Sequence, residues 1–385
     1  MRLAFTALLC GFVFACGGSS KHVGSATGGS TSAPTGGGGG ASAGASASGG
    51  MAGGPTACPA PPDLGVRFVG RTDGCDPTGV RYAWSGSGFV GTFKGTGVSV
   101  RLNDTPNQYT VLVDGESMPT LKTSAGEATY PLATGLDDGE HRFEVYRRTE
   151  ASFGNSLALG FEVEGGELGE PPPALSRRIE VIGDSITCGY GNEGMLPCTF
   201  SADTENHYLS YASVLARSLG AELSTVAWSG KGVIYNYNGD KLMPLPTLYD
   251  RAVPSDRKSV WDFSFQPDAV VINLSTNDYS TGNSPTDEVF LGAYQAFLEH
   301  LRSKYPKAFI LCTVGPMLSG NMLANARRNI AAAVAARGGS GDDRVKAYEM
   351  KATNPSPGCD YHPNLVTQAA MASELEAELK TDLGW

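Results

Sequence analysis

The chain has 385 residues, 41% of them hydrophobic and 18% charged, and its 29 Lys+Arg against 39 Asp+Glu give a net charge of −10. This length allows two or three domains with a sizeable buried core, which excludes a short peptide or a small disulfide-stapled scaffold. A nucleic-acid-binding protein needs clustered basic residues to neutralise phosphates, so the acidic balance argues against that class.

The first 15 residues have the pattern of a secretory signal peptide. Arg2 precedes an apolar run over 3–15 that is too short to cross a bilayer. The end of this run, VFAC at 13–16, resembles the lipobox of bacterial lipoproteins, in which Cys16 becomes the lipidated first residue after cleavage. We therefore expect an exported lipoprotein of the bacterial cell envelope, at the outer membrane or cell surface. The alternative is ordinary cleavage nearby and a secreted protein.

Residues 16–57 consist mainly of glycine, serine and alanine. The part from 17 to 57 holds 15 of the 51 glycines and contains no acidic residue and no Phe, Trp or Tyr. Such a segment buries too little apolar surface to offset the entropy of ordering. We expect it to be a disordered tether between the lipid-anchor cysteine and the folded part.

Six cysteines lie beyond the tether, and an even number in an exported chain suggests disulfide bonds. Cys58–Cys75 and Cys188–Cys198 are candidate local pairs, although connectivity does not follow from sequence. Cys312 lies in an apolar run and is interpreted as a buried hydrophobic residue. The chain contains no CxxC pair, which argues against a zinc ribbon.

The first folded region, placed at residues 58–168, shows a period of two. Apolar and polar residues alternate over 97–102, 108–114 and 141–148, which indicates short half-buried strands at close spacing. This pattern favours an all-β antiparallel sandwich. A stretch rich in glycine and proline over 164–173 marks its boundary.

In residues 169–385 continuous apolar runs alternate with helical patterns. Such runs are typical of strands buried on both faces, so the alternation predicts a three-layer α/β/α domain with a parallel sheet. In these folds ligands bind at the carboxyl ends of the strands. The predicted strands are 178–185, 221–228, 268–275, 307–314 and 344–350, and the predicted helices are 208–219, 287–304, 321–336 and 365–383.

Two of these strand ends carry residues suited to nucleophilic catalysis. Ser185 ends the sequence GDS after the first strand, and His362 lies in GCDYHPN, just past the last strand. A nucleophilic serine needs a base, and Asp360, two residues before the histidine, has the spacing to orient its ring. Taken separately, GDS also fits a tight turn with a helix cap, and GCDYHPN also fits a turn that opens the final helix.

Two further strand ends supply candidate donors for an oxyanion. The Asn277 side-chain amide follows the third strand, and the backbone N–H of Gly230, or of the competing Gly232, follows the second. Four strand ends that provide a nucleophile, a base and two donors predict an acyl-transfer site. GxGxxG patterns at 86–91 and 189–194 do not stand at a strand-to-helix turn, so we do not interpret them as dinucleotide sites.

At these residues the sequence resembles the SGNH, or GDSL-type, hydrolase superfamily. The longer stretches 183–194 and 358–363, together with GVSVRLND, LVDGE and YRRTE (146–150), resemble more specifically carbohydrate esterase family 2. The resemblance covers residues 66–385. It implies a jelly-roll sandwich followed by an SGNH domain, in an enzyme that removes acetyl groups from xylans and other plant polysaccharides at sugar O6 or O4.

The resemblance also implies roles for individual residues. Ser185 is the nucleophile, His362 is the general base, and the N–H of Ser185, the N–H of Gly230 and the amide of Asn277 form the oxyanion hole. Some family members orient the histidine through a backbone carbonyl, which leaves the part of Asp360 open. The reaction requires no metal and no cofactor.

Five aromatic residues lie near the predicted strand ends and are candidates to stack on pyranose rings, with core or loop packing as the alternative for each. They are Trp228, Tyr235, Tyr237, Trp261 and Tyr361. The expected partner is an acetylated polysaccharide or oligosaccharide, bound by a monomer that meets the membrane only through its lipid anchor.

Two other functions fit part of the sequence. An SGNH lipase or thioesterase would use the same residues, but a lipid enzyme is expected to carry an apolar lid beside the motifs, and the sequence shows none. A non-catalytic surface lectin would be expected to have lost Ser185 or His362, and both are present.

Overall fold

The computed structural model describes residues 61–280 and 284–385. The predictions for the signal peptide, for Cys16 and for the tether lie outside the described residues. Within that part of the chain, no helix is both long enough and apolar enough to span a membrane.

The first part of the described chain forms two antiparallel sheets. In the strand 97–104, Val98, Val100 and Leu102 are buried while the residues between them are not, as the period of two predicts. The strands are β1 (Arg67–Val69), β2 (Thr72–Asp73), β3 (Val80–Tyr82), β4 (Gly88–Gly95), β5 (Gly97–Asp104), β6 (Gln108–Val113), β7 (Glu116–Ser117), β8 (Leu121–Lys122), β9 (Gly126–Ala133), β10 (Gly139–Arg147), β11 (Ser156–Glu164) and β12 (Glu167–Leu168).

One sheet has the order β1-β4-β10-β6-β7, with β12 beside β4 and β8 beside β6, and the other has the order β2-β3-β11-β5-β9. The long strands alternate between the two sheets along the chain, as in a jelly roll. Between the sheets lies a core of aromatic and branched side chains that includes Phe89, Phe93, Tyr109 and Phe143. The predicted sandwich is confirmed.

The second part is an α/β domain with a five-stranded sheet. Its strands are β13 (Arg177–Gly183), β14 (Ala221–Ala227), β15 (Ala269–Asn273), β16 (Phe309–Val314) and β17 (Val345–Glu349). Its helices are α1 (Ser185–Cys188), α2 (Tyr211–Ser218), α3 (Leu245–Leu248), α4 (Thr276–Tyr279), α5 (Asp287–Lys304), α6 (Gly320–Gly339) and α7 (Leu365–Leu383). All neighbouring strands pair in parallel.

Helices cover both faces of this sheet. One core cluster joins strand residues to α5 and α6, and a second joins strand residues to α2 and α7, which confirms the three-layer arrangement. The strand order is β14-β13-β15-β16-β17, so the chain turns to opposite sides of β13 in its first two crossovers. Such a switch point opens a crevice at the carboxyl ends of the strands, where ligands bind.

The sandwich and the α/β domain share a buried ion pair. The guanidinium of Arg71, which is fully buried, lies 3.1 Å from the carboxylate of Glu180 in β13. The indole N–H of Trp84 donates to the carbonyl of Arg251 at 3.2 Å. These contacts connect the interior of one domain to the interior of the other.

Candidate active site

Ser185 and His362 meet at the carboxyl edge of the sheet. Ser185 opens α1 directly after β13, and its Oγ lies 2.8 Å from His362 Nε2. Asp184 caps this helix by accepting the N–H of Ile186 at 3.0 Å. Burial lowers the pKa of His362, so the imidazole is neutral at pH 7 and Nε2 can accept the serine proton.

The other nitrogen of His362 is oriented by main chain. Nδ1 lies 3.1 Å from the backbone carbonyl oxygen of Asp360, and this contact keeps the single ring proton of the neutral imidazole on Nδ1. The Asp360 carboxylate points elsewhere, where its Oδ2 accepts from the hydroxyl of Tyr190 at 3.0 Å and from the N–H of Phe200 at 2.9 Å. The expectation that this carboxylate completes a triad is therefore corrected.

The turn that carries Asp360 has a strained backbone. Asp360 and Tyr361 have φ values of 49° and 65°, in the left-handed region that residues with a Cβ rarely adopt. This conformation directs the Asp360 carbonyl toward the imidazole. The ring of Tyr190 packs 4.2 Å from that of His362 and supports the histidine from the side.

The two predicted donor segments lie beside Ser185. The amide nitrogen of Asn277, at the start of α4, donates to the carbonyl of Lys231 at 2.9 Å and lies 3.4 Å from Asp184 Oδ2. Gly230 follows β14 with a φ of 77°, a value that favours glycine. Within the described residues, the backbone N–H groups of Ser185 and Gly230 donate no hydrogen bond, so both can donate to a substrate oxygen.

The alternative donor, Gly232, is less suited. It is buried, and a Cβ there would lie 2.1 Å from the carbonyl oxygen of Tyr235 and 2.6 Å from the carboxylate of Asp278. This glycine is required because two groups approach it closely. Gly230 is half-buried and therefore more accessible to a substrate, which makes it the better candidate for the oxyanion donor.

Sequence reasoning missed Asp278, although it stands next to Asn277. Its carboxylate accepts the N–H groups of Val233, Ile234 and Tyr235 at 2.8–2.9 Å, which fastens the far end of the loop that follows β14. Burial raises the pKa of Asp278 to about 6 and that of Asp184 to about 7. The only sequence signal was an acidic residue directly after the oxyanion asparagine.

One disulfide within the described residues differs from the expected pairs. Cys198 bonds to Cys359, 161 residues away, whereas Cys188 is a buried free thiol in α1. The expectation of a Cys188–Cys198 bond is wrong because α1 turns Cys188 inward, and the bond instead joins two loops distant in sequence. The expected Cys58–Cys75 bond includes Cys58, which lies outside the described residues. Cys312 is buried and free, as predicted.

The aromatic candidates fall into different environments. Tyr361 and Tyr237 are exposed, Tyr235 is half-buried with Lys241 above its ring, and Trp228 is half-buried against Ala83 and Ala151 of the sandwich. Trp261 is buried, and the guanidinium of Arg71 lies 5.6 Å from its ring centre. The expectation that Trp261 binds substrate is therefore corrected, because its ring packs within the domain interface.

Two family models match the chain. Residues 68–173 match the one described as Carbohydrate esterase 2 N-terminal, and residues 181–367 match the GDSL-like Lipase/Acylhydrolase family. The first range contains the sandwich, and the second contains Ser185, Asn277 and His362.

Similar curated proteins have names that describe enzymes acting on polysaccharides. The chain is 41% identical over 329 residues to the cellulase/esterase CelE of Acetivibrio thermocellus, an alignment that covers 83% of this chain but 40% of that protein. The chain therefore spans less than half the length of this relative. It is 27% identical over 328 residues to an acetylxylan esterase / glucomannan deacetylase of Cellvibrio japonicus, covering 84% of this chain and 90% of that protein.

Solved structures show the same two-domain architecture. A family two carbohydrate esterase from Clostridium thermocellum in complex with cellohexaose has a TM-score of 0.80 and 40% identity, covering 83% of this chain and 99% of that chain. A family two carbohydrate esterase from Cellvibrio japonicus has a TM-score of 0.78 and 26% identity, covering 84% and 96%. The sequence motifs, both domains and these alignments agree, and the chain belongs to carbohydrate esterase family 2.

Proposed function

We propose that the protein is a serine esterase that removes O-acetyl groups from polysaccharides such as acetylated xylan or glucomannan, at sugar O6 or O4. The observation that carries the proposal is the 2.8 Å contact between Ser185 Oγ and His362 Nε2, at the sheet edge that also holds Gly230 and Asn277. The names of the relatives from Cellvibrio japonicus support the substrate class.

The chemistry is acyl transfer in two halves. The Ser185 hydroxyl attacks the acetyl carbonyl carbon while Nε2 of His362 takes the hydroxyl proton. The Asp360 carbonyl stabilises the imidazolium that forms. The protonated His362 then returns the proton to the leaving sugar oxygen, which leaves an acetyl-serine. Water, deprotonated by His362, attacks this ester and releases acetate and the free serine.

Three donors are suited to stabilise the negative oxygen of each tetrahedral intermediate. These are the N–H of Ser185, the N–H of Gly230 and the side-chain amide of Asn277. The amide of Asn277 donates to the Lys231 carbonyl at 2.9 Å and to Asp184 Oδ2 at 3.4 Å. The second hydrogen bond is long and weak, so the acyl oxygen can replace it.

Two exposed tyrosines are the proposed sugar-stacking residues. Tyr361 is 71% exposed and precedes His362, and Tyr237 is 65% exposed and donates its N–H to the Gly230 carbonyl at 2.8 Å. Exposed aromatic rings next to His362 and to the Gly230 segment suit the flat faces of pyranose rings. Trp228 and Tyr235 contribute to the same region.

The test measures acetate release from acetylated xylan and acetylated glucomannan, with 4-nitrophenyl acetate as a generic substrate. We expect release by the wild type and none above background by a folded Ser185→Ala variant. A wild type that binds these glycans but hydrolyses no acetyl ester would contradict the esterase and support the lectin.

We further propose that the protein is exported, is anchored by a lipid on Cys16 and acts as a monomer. The support is the apolar run and the VFAC sequence that precede a glycine-rich segment. Labelling of cells with radioactive palmitate should mark the wild type and leave a Cys16→Ala variant unlabelled. Equal labelling of both would contradict the anchor.

A further inference from the structure

Glu150, a residue of the sandwich, contacts both catalytic segments of the α/β domain. Its side chain is buried, and Oε2 accepts a hydrogen bond from the backbone N–H of Ser229 at 2.6 Å. The thiol of Cys188 lies 3.6 Å from the same oxygen. Ser229 directly precedes Gly230, and Cys188 ends the helix that begins at Ser185.

The position of Glu150 is determined from both domains. The fully buried guanidinium of Arg147 donates to the carbonyl of Glu150 at 3.0 Å, to that of Thr149 at 3.0 Å and to the Ser156 hydroxyl at 2.9 Å. From the α/β domain, Glu205 Oε2 accepts the N–H of Glu150 at 3.0 Å. The carboxyl group therefore projects from a rigid point of the sandwich.

The loop after β14 has different anchors at its two ends. Asp278 holds the far end through the N–H groups of 233–235, so the near end, with Ser229 and Gly230, depends on other contacts. These include the turn in which Lys231 N–H donates to the Trp228 carbonyl at 3.2 Å. Glu150 supplies a side-chain hydrogen bond at this end.

We propose that Glu150 is a positioning residue, whose side chain holds the Trp228–Ser229 peptide so that the following N–H, that of Gly230, points at the acyl oxygen. This inference rests on the esterase function proposed above. An oxyanion donor is most effective when it is held in place before the reaction. A peptide plane without this anchor is free to rotate about the backbone bonds of Ser229, and the donor is then misdirected.

The inference gives the sandwich a catalytic contribution that does not depend on substrate contact. Burial raises the pKa of Glu150, and burial together with the neighbouring Glu150 raises that of Glu205, so the surroundings favour the uncharged form of each carboxyl group. A glutamine at 150 is therefore a close substitute, because its amide oxygen can still accept the N–H of Ser229.

The first experiment compares Glu150→Ala and Glu150→Gln in the full chain with 4-nitrophenyl acetate. Loss of a whole oxyanion donor lowers kcat by roughly 100-fold to 1000-fold. We expect a smaller fall of about 10-fold to 100-fold in Glu150→Ala, with little change in KM, and recovery of most of the activity in Glu150→Gln. The control is Glu180→Gln, another fully buried carboxyl at the domain interface, which should lose stability but keep its kcat.

A second substrate separates positioning from general loss of structure. Sulfur accepts hydrogen bonds poorly, so the ratio of kcat/KM for an acetate ester to that for its thionoacetate analogue reports on the oxyanion hole. This ratio should fall in Glu150→Ala and stay at the wild-type value in Glu180→Gln. If Glu150→Ala does not fold, Glu150→Asp replaces it, because the shorter side chain keeps the carboxyl but withdraws it from Ser229.

The outcomes distinguish the two proposals. A folded Glu150→Ala or Glu150→Asp enzyme with the wild-type ratio overturns the positioning role, whether or not kcat has changed. A wild type that hydrolyses no acetyl ester overturns the proposed function, and the positioning role with it. An active wild type with a reduced ratio in the variants supports both.

Discussion

At the scale of single residues, the same aspartate performs two tasks through two different groups. The main-chain carbonyl of Asp360 orients His362, while its carboxylate ties Tyr190 and Phe200 into the wall behind the imidazole. A sequence pattern cannot separate these tasks, because both depend on the left-handed turn at 360–361. Ser275, directly before α4, is another residue with a strained backbone, because its φ of 141° is a value that residues with a Cβ rarely adopt.

The first prediction concerns Asp360→Asn. The asparagine Oδ1 can occupy the place of Oδ2 and accept from both Tyr190 and Phe200, and the main-chain carbonyl is unchanged. We expect kcat/KM on 4-nitrophenyl acetate to fall less than about tenfold, whereas loss of the acid in a working triad costs about 10⁴-fold. His362→Ala serves as the reference for complete loss. A fall of three orders of magnitude in Asp360→Asn would restore the carboxylate to the triad.

At the scale of elements, capping residues explain where the long helices begin. Thr286 accepts the N–H of Val289, and Asn364 accepts that of Thr367 at 3.0 Å, so α5 and α7 have the bounds that the sequence predicts. Helix α2 begins at Tyr211, later than predicted, because a turn of 3₁₀ helix occupies 207–209.

The loop that carries Gly189, Gly191 and Gly194 shows what its GxGxxG pattern provides. A Cβ at Gly191 would lie 2.7 Å from Cys359 Cβ, and one at Gly194 would lie 2.1 Å from Cys359 Sγ. Gly191 and Gly194 let this loop pack against the Cys198–Cys359 disulfide. The pattern therefore supports the histidine loop and has no connection with a dinucleotide.

The second prediction concerns that disulfide. Replacing both Cys198 and Cys359 by alanine should lower the free energy of unfolding by about 2–5 kcal/mol, as for other native disulfides. It should also lower kcat, because Cys359 precedes the residue whose carbonyl orients His362. Thermal unfolding and 4-nitrophenyl acetate hydrolysis measure the two effects.

The control for the disulfide is Cys312→Ala, which removes a buried free thiol in β16 away from the catalytic loops. It is expected to lose some stability through packing but to keep its kcat. A double alanine variant of the disulfide with wild-type kcat would show that the histidine loop holds its shape without the bond.

At the scale of the whole molecule, the two domains are joined through their interiors. Glu180, in the middle of β13, accepts from Arg71 of the sandwich, and also from the hydroxyls of Ser224, Tyr249 and Tyr305. A charge pair inside the protein contributes little when intact but is costly when one partner is removed. The domains are therefore expected to unfold together.

The third prediction tests this coupling. Arg71→Met should lower the free energy of unfolding by about 3–5 kcal/mol, because it leaves Glu180 as an unpaired buried charge. Circular dichroism and tryptophan fluorescence should report one coincident unfolding transition. At temperatures well below the midpoint of that transition, kcat should equal that of the wild type. The matched control is Arg101→Met, which breaks an exposed pair with Glu127 and should change stability little. Separate transitions for the two domains in the wild type would contradict the coupling.

Local patterns were sufficient to predict the two architectures, the order of the main strands and helices, and the meeting of Ser185 and His362 at one edge of the sheet. They placed Asn277 after a neighbouring strand and left the choice between Gly230 and Gly232 open. Strand and helix periodicity depends on neighbours in sequence, and parallel topology places every strand end at one edge. The stretches that carry the family resemblance added the substrate class.

Only the tertiary structure decided which groups meet across large sequence separations. It paired Cys198 with Cys359, buried Trp261 beside Arg71, turned the Asp360 carboxylate away from His362 and brought Glu150 to Ser229. These contacts join loops and domains that periodicity does not relate. They depend on packing and backbone direction, which a linear pattern of residue types does not contain.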